Sequence, residues 1–160
     1  MENRQEVEGL QSAGQKGFTL LEVIVAISIL TVGLLAVASM QGSAIIANAT
    51  ATDITDATTF ASDRLEKLAS LGYNDTDLED TDGDGAAGLG DRGFDGDPLT
   101  GTDADHGITR QNARGKTYSV YWNVAEDDAR EGTKTIQVIV AWKDHGKAKQ
   151  LMLRHIKPHI

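Results

Sequence analysis

The residues best suited to chemistry sit in one short acidic stretch. Asp80-Thr81-Asp82-Gly83-Asp84-Gly85 is followed by Asp91, eleven residues after Asp80. Calcium is a hard cation that takes roughly six to eight oxygen ligands. A calcium loop of the EF-hand type supplies them from alternate positions, with a glycine at the sixth for a sharp turn and an acid at the twelfth. In that frame the candidate ligands are Asp80, Asp82, Asp84, the Ala86 carbonyl and Asp91, with Gly85 at the turn. Two features depart from it. Ala87 stands where a larger apolar residue is usual, and Gly93, Gly96 and Pro98 oppose a helix after the loop, so the expectation is a lone calcium loop. Asp95, Asp97, Asp103 and Asp105 could complete the same site or a second one, and a solvated, flexible loop is the competing reading.

Little else in the chain points to a reaction. It has no cysteine, which excludes a disulfide framework, a thiolate metal site and a cysteine nucleophile. The four histidines (His106, His145, His155 and His159) are scattered in polar or terminal settings, with His155 and His159 expected in a solvent-exposed tail. No Gly-x-Ser-x-Gly, phosphate loop or His-Glu-x-x-His occurs. No catalytic residue is expected.

The 160 residues carry a net charge of −9, and the charge is segregated. Residues 1–73 contribute −4, residues 74–105 contribute −10 and residues 107–160 contribute +5. The acidity is thus essentially one Gly/Asp stretch, and the balance argues against a nucleic-acid partner, which would need a basic surface to displace counterions.

The elements that would position these residues can be read from periodicity. Tyr118, Val120, Trp122 and Val124 alternate with Ser119, Tyr121 and Asn123. Ile136, Val138, Val140 and Trp142 repeat the alternation, and Leu151 and Leu153 begin a third strand. Short polar connections at Glu126–Gly132 and Asp144–Lys147 predict an antiparallel meander with one face open to water. Upstream, Ile54, Ala57, Ala61, Leu65 and Leu68 recur at helical spacing, with Asp53, Asp63, Arg64, Glu66 and Lys67 off that stripe. Leu71-Gly72 is a plausible helix stop. Such a helix would cover the other face of the sheet. The stretch 73–106, with little to bury, is expected to be a loop.

From Phe18 to Met40 the chain is a 23-residue run whose only ionisable side chain is Glu22. As a helix it would reach about 35 Å, enough for a hydrocarbon core of about 30 Å. An ordinary secretory leader has a basic start and a shorter apolar stretch. Here a polar leader with three glutamates precedes a longer one. A charge in a membrane helix is costly and calls for a partner, or for snorkelling to headgroups.

The junction Lys16-Gly17-Phe18-Thr19-Leu20-Leu21-Glu22 resembles the cleavage and methylation motif of type IV prepilins and pseudopilins. The resemblance implies that a prepilin peptidase cuts between Gly17 and Phe18 and N-methylates Phe18. It also implies that Glu22 meets the Phe18 amine of a neighbouring subunit during recruitment and register setting. The stretch Ile29 to Gln41, with Gly33-Leu34-Leu35, looks like the helix of type IV pilus modification proteins, the PilV-type minor pilins. Minor pseudopilins of type II secretion share its first half. A single-pass calcium-binding surface protein with an uncleaved anchor is the rival from a different class.

The resemblance implies an α+β, pilin-like fold: one long N-terminal helix, half transmembrane and half amphipathic, packed on a small antiparallel sheet with the acidic loop between. The expected divisions are a leader at 1–17, a membrane and filament-core helix at 18–40, an amphipathic half at 41–72, the loop at 73–106 and the sheet at 107–160. Implied partners are the prepilin peptidase, other major and minor pilins, the inner-membrane assembly platform, and membrane lipid before assembly. The implied location is the bacterial inner membrane, single-pass with a cytoplasmic N-terminus, and after assembly the pilus outside it. Gly33 and Gly42 are expected either to soften the helix or to let neighbouring helices approach.

Overall fold

A computed structural model of the chain describes residues 17–93 and 103–159. Most of the leader, and Asp95 and Asp97 of the acidic stretch, lie outside the described residues. The chain divides into two compact units, Met1–Ile45 and Ile46–Ile160. They share one helix, α1, which runs Leu20–Ser70 for 51 residues, unbroken through Gly33 and Gly42.

In the first unit every described residue is exposed. Leu20, Leu21, Ile29, Val32 and Leu35 each keep more than two thirds of their surface open. Several of its hydroxyls are nonetheless satisfied. Ser28 donates to the Ile24 carbonyl at 2.8 Å and Thr31 to the Ile27 carbonyl at 2.7 Å. Polar side chains that bond back to the preceding turn suit an apolar surrounding, where an unpaired donor is expensive. By length and composition this is a helix able to cross a membrane.

The second unit is an antiparallel sheet with the C-terminal part of α1 on one face. The strands are β1 (His106–Gln111), β2 (Thr117–Glu126), β3 (Thr133–Asp144) and β4 (Lys147–Pro158). They lie in the order β1-β2-β3-β4, a meander. Three were expected. The fourth, β1, has one large apolar residue, Ile108, and reads as polar in sequence; it forms because its backbone pairs with β2 from His106 opposite Trp122 to Gln111 opposite Thr117. The C-terminal histidines are not in a tail. His155 lies within β4, and the His159 ring meets Tyr73 edge-on with centroids 4.4 Å apart.

The core joins Ala57, Ala61 and Leu68 of α1 to Tyr118, Val120, Trp122 and Val124 of β2 and to Ile136, Val138, Val140 and Trp142 of β3. The alternation in the two strands is thus as expected, but the helical stripe is displaced. Ile54 is 46% exposed, whereas Asp53 and Arg64, expected outside, are buried. Both charges are compensated. Asp53 takes Arg114 at 3.1 Å, Lys116, and the Tyr118 hydroxyl at 3.4 Å. Arg64 pairs with Asp77 at 3.2 Å and lays its guanidinium 3.5 Å from the centre of the Trp122 ring. A stacked, paired arginine buries its stem as well as any aliphatic residue, so it can occupy a core-facing position that a hydropathy pattern assigns to solvent. Burial, and then the charge of Asp53, pushes the Tyr118 hydroxyl up to about 12.

The second correction concerns the far face of the sheet. Ala125 and Ile139 point away from α1, yet they are fully buried. The cover comes from the acidic stretch, which folds into two short 3₁₀ helices, η1 (Thr76–Leu78) and η2 (Gly85–Gly90). η2 lies against β2 and β3. Asn123 donates to the Leu89 carbonyl at 3.1 Å and to the Asp91 carbonyl at 3.0 Å, and Gln137 also donates to Leu89. Leu78 and Leu89 are buried. The stretch therefore contributes to the core, and the central strands are covered on both faces. Leu89→Ala is accordingly expected to lower stability by about 2–4 kcal/mol, read as a shift in urea midpoint. A solvated loop would leave the midpoint unchanged.

Candidate functional sites

The first candidate is the segment Gly17–Glu22. Gly17, Phe18 and Thr19 precede the helix, and all three are exposed. The Gly17–Phe18 peptide bond is therefore in accessible, non-helical chain, the form a peptidase can bind. α1 begins just beyond it because Thr19 caps it. The Thr19 hydroxyl accepts from the Glu22 N–H at 3.2 Å, and the Thr19 carbonyl accepts from the Val23 N–H at 3.2 Å. Thr19-Leu20-Leu21-Glu22 has the spacing of a capping box, a signal present in the sequence that the reading of Glu22 as a membrane charge passed over. Glu22 also lies in the first turn, where the helix dipole favours a carboxylate. Its carboxylate makes no hydrogen bond or ion pair among the described residues and remains free for a group from outside the chain.

The second candidate is the acidic stretch. Asp82, Asp84 and Asp91 bring one carboxylate oxygen each within 4.8 Å of one another, and Asp80, Asp82 and Asp105 do the same. Asp82 belongs to both groups. Four of the five candidate calcium ligands are thus drawn together, and Asp105 joins them from the residue before β1. Ala86 lies in the first turn of η2.

Local backbone geometry explains the convergence. Gly83 and Gly85 have φ of 76° and 59°, the left-handed region that side chains disfavour. The turns they make let the Gly83 and Gly85 N–H groups donate to the two oxygens of Asp80 at 2.8 and 2.9 Å. Gly88 is needed for a different reason. A Cβ there would sit 1.8 Å from an oxygen of Asp84, so the Asp84 carboxylate rests directly on the backbone of η2.

Asp105 is fixed to the sheet. Its carboxylate accepts from the Val124 N–H at 2.8 Å and the Thr81 N–H at 2.6 Å, and its own N–H donates to Asn123 at 2.9 Å. Spacing alone could not single it out from the other aspartates, because its place is set by β1 pairing with β2.

Burial, together with the crowding of carboxylates, perturbs their titration. Burial, and then the charge of Asp82, pushes Asp84 up to about 6. Asp80 and Asp91 are also raised, each first by burial. A cation in either group would relieve the repulsion that a proton otherwise relieves.

A family model of the prokaryotic N-terminal methylation motif matches residues 12–38. The match covers the Gly17-Phe18 junction and most of the apolar half of α1. It supports a place among type IV prepilin-like proteins. No curated protein and no solved structure matches the chain.

The raised Asp84 gives a pH dependence with a definite sign. An acid that holds its proton more tightly in the fold than in the unfolded chain, where a carboxyl titrates near about 4, contributes stability when protonated. In chelator, stability is expected to fall by on the order of 1 kcal/mol between about pH 4 and about pH 7, after allowance for solvent screening. Asp84→Asn should flatten that slope in urea unfolding at several pH values. An unaltered slope would show that the fold does not hold the Asp84 proton more tightly than the unfolded chain does.

Proposed function

We propose that this chain is a minor type IV pilin of the PilV type, a structural subunit that is processed at Gly17–Phe18 and then primes or joins a pilus. The observation that carries the reading is the pairing of the methylation motif with an apolar helix whose whole first half is exposed. The motif and the helix support membrane anchoring, and the motif points to a structural subunit and not to an enzyme. The residues of Gly33-Leu34-Leu35 and Gln41 favour the PilV type over a type II secretion pseudopilin.

The mechanism is packing. Before assembly the apolar unit sits in the inner membrane with its N-terminus cytoplasmic. Cleavage creates a free amine on Phe18, which the peptidase methylates. The helix then moves from lipid into a filament of major and minor pilins at the assembly platform, where the Glu22 carboxylate meets the Phe18 amine of a neighbour. A charged pair stabilises far more in an apolar surrounding than in water, so it can set register between helices that are otherwise uniformly greasy. Glu22→Ala should leave processing largely intact and lower the amount of the chain in sheared filaments. Unchanged incorporation would remove Glu22 from assembly.

An accessory role for the acidic stretch is favoured by the convergence of its carboxylates. We propose that Asp80, Asp82, Asp84 and Asp91, with the Ala86 carbonyl, hold calcium. Asp82, common to both groups, is the residue on which binding should depend. Titration calorimetry of the full chain in detergent is expected to show calcium uptake that Asp82→Asn abolishes. Absence of heat with the unaltered chain would retire the site.

A further inference from the structure

Charge in the second unit is polarised along the strands. At one end lie the start of its helical segment, the β1–β2 turn and the β3–β4 hairpin. Thr50 donates to Asp144 at 3.3 Å, and Asn112 and Arg114 bond Asp56 and Asp53 there. At this end Lys143, Lys147 and Lys149 are exposed and make no ion pair among the described residues. The only acid in the hairpin, Asp144, is turned toward Thr50 and His145. Beside the hairpin is a groove of about 660 Å³, with Arg92, Lys143 and Lys149 around a floor that includes Ala141 and Ala148, and lined also by Lys116, which is paired with Asp53. The opposite end is acidic. It carries Glu126 at the end of β2, paired with Lys134, and Asp127, Asp128 and Glu131 beside Arg130 in the β2–β3 connection, and Glu79 and Asp80 line a cleft with Glu126.

The basic end is also the end at which the chain passes into its apolar stretch, because Thr50 is five residues from Ile45. A bilayer that holds residues 18–40 is tethered to this end by a connection of only ten residues, 41–50.

We propose that the β3–β4 hairpin end of this unit docks on anionic phospholipid headgroups while the chain is anchored in the membrane. The cationic groove receives headgroup phosphates, and repulsion keeps the acidic end away from the surface. The proposal rests on the membrane-anchoring reading and adds a lipid contact to it.

The full chain, free of cysteine, allows single labels. Ala113→Cys places a dye on the β1–β2 turn at the basic end, outside the groove, and Ala129→Cys places one on the β2–β3 connection. Both residues are exposed. Each labelled chain is reconstituted in phosphatidylcholine vesicles, with or without phosphatidylglycerol, and quenching by headgroup spin labels is read. Phosphatidylglycerol should raise quenching at position 113 and leave position 129 unchanged. Molar salt should erase the rise, and so should Lys143→Gln, Lys147→Gln and Lys149→Gln combined. Equal quenching on both vesicle types would overturn the proposal and assign the lysines to protecting the β4 edge or to an acidic protein surface. A rise that survives the triple substitution would overturn it too. Failure of the anchoring reading looks different, because the chain would then not float with phosphatidylcholine vesicles at all.

Discussion

The second unit depends on one constraint, the need to cover both faces of β2 and β3. A strand with apolar residues on one face needs one partner layer. Here Val124 and Ala125, like Val138 and Ile139, are buried on opposite faces of the sheet. α1 supplies one layer through residues as small as Ala57 and Ala61, which let the helix approach closely. The other layer is η2, held by backbone carbonyls that Asn123 and Gln137 reach from the sheet. With no disulfide to close the fold, this double cover and the paired charges of Asp53 and Arg64 are what hold the small unit together.

That constraint changes the meaning of the acidic stretch. Its aspartates are not spread along a free loop; they are gathered because Leu78 and Leu89 are buried and because Asp105 is tied to Val124 and Thr81. Burial that stabilises the sheet thereby concentrates negative charge, and the raised Asp84 is the electrostatic cost of that arrangement. Protons, or a cation, would reduce it.

Much of this was legible in the residues, and what was not has a physical reason. The apolar run and the alternation in β2, β3 and β4 stand out because each repeats one period over many residues. β1 escaped because backbone pairing, and not its own side chains, makes it a strand. Arg64 and Asp53 were placed on the wrong side of α1 because a helical hydropathy pattern counts a charge as exposed, whereas partners distant in sequence, Asp77 and Trp122 for one, Arg114 and Lys116 for the other, make burial affordable. The Asp80 to Asp91 spacing pointed to the right neighbourhood. The overlapping arrangement with Asp105 needed the sheet.

The first unit poses the opposite problem, a helix with nothing to pack against among the unit's described residues. Its exposed leucines, isoleucines and valines suit an apolar surrounding such as a membrane. In the function proposed, cutting at the Gly17–Phe18 junction at its start frees the amine that Glu22 of a neighbour would meet. Mass spectrometry of the N-terminus of the membrane-resident chain, in cells with active prepilin peptidase, tests this most directly. The account predicts a chain that starts at Phe18 with a methylated amine. A chain that still starts at Met1 would contradict it.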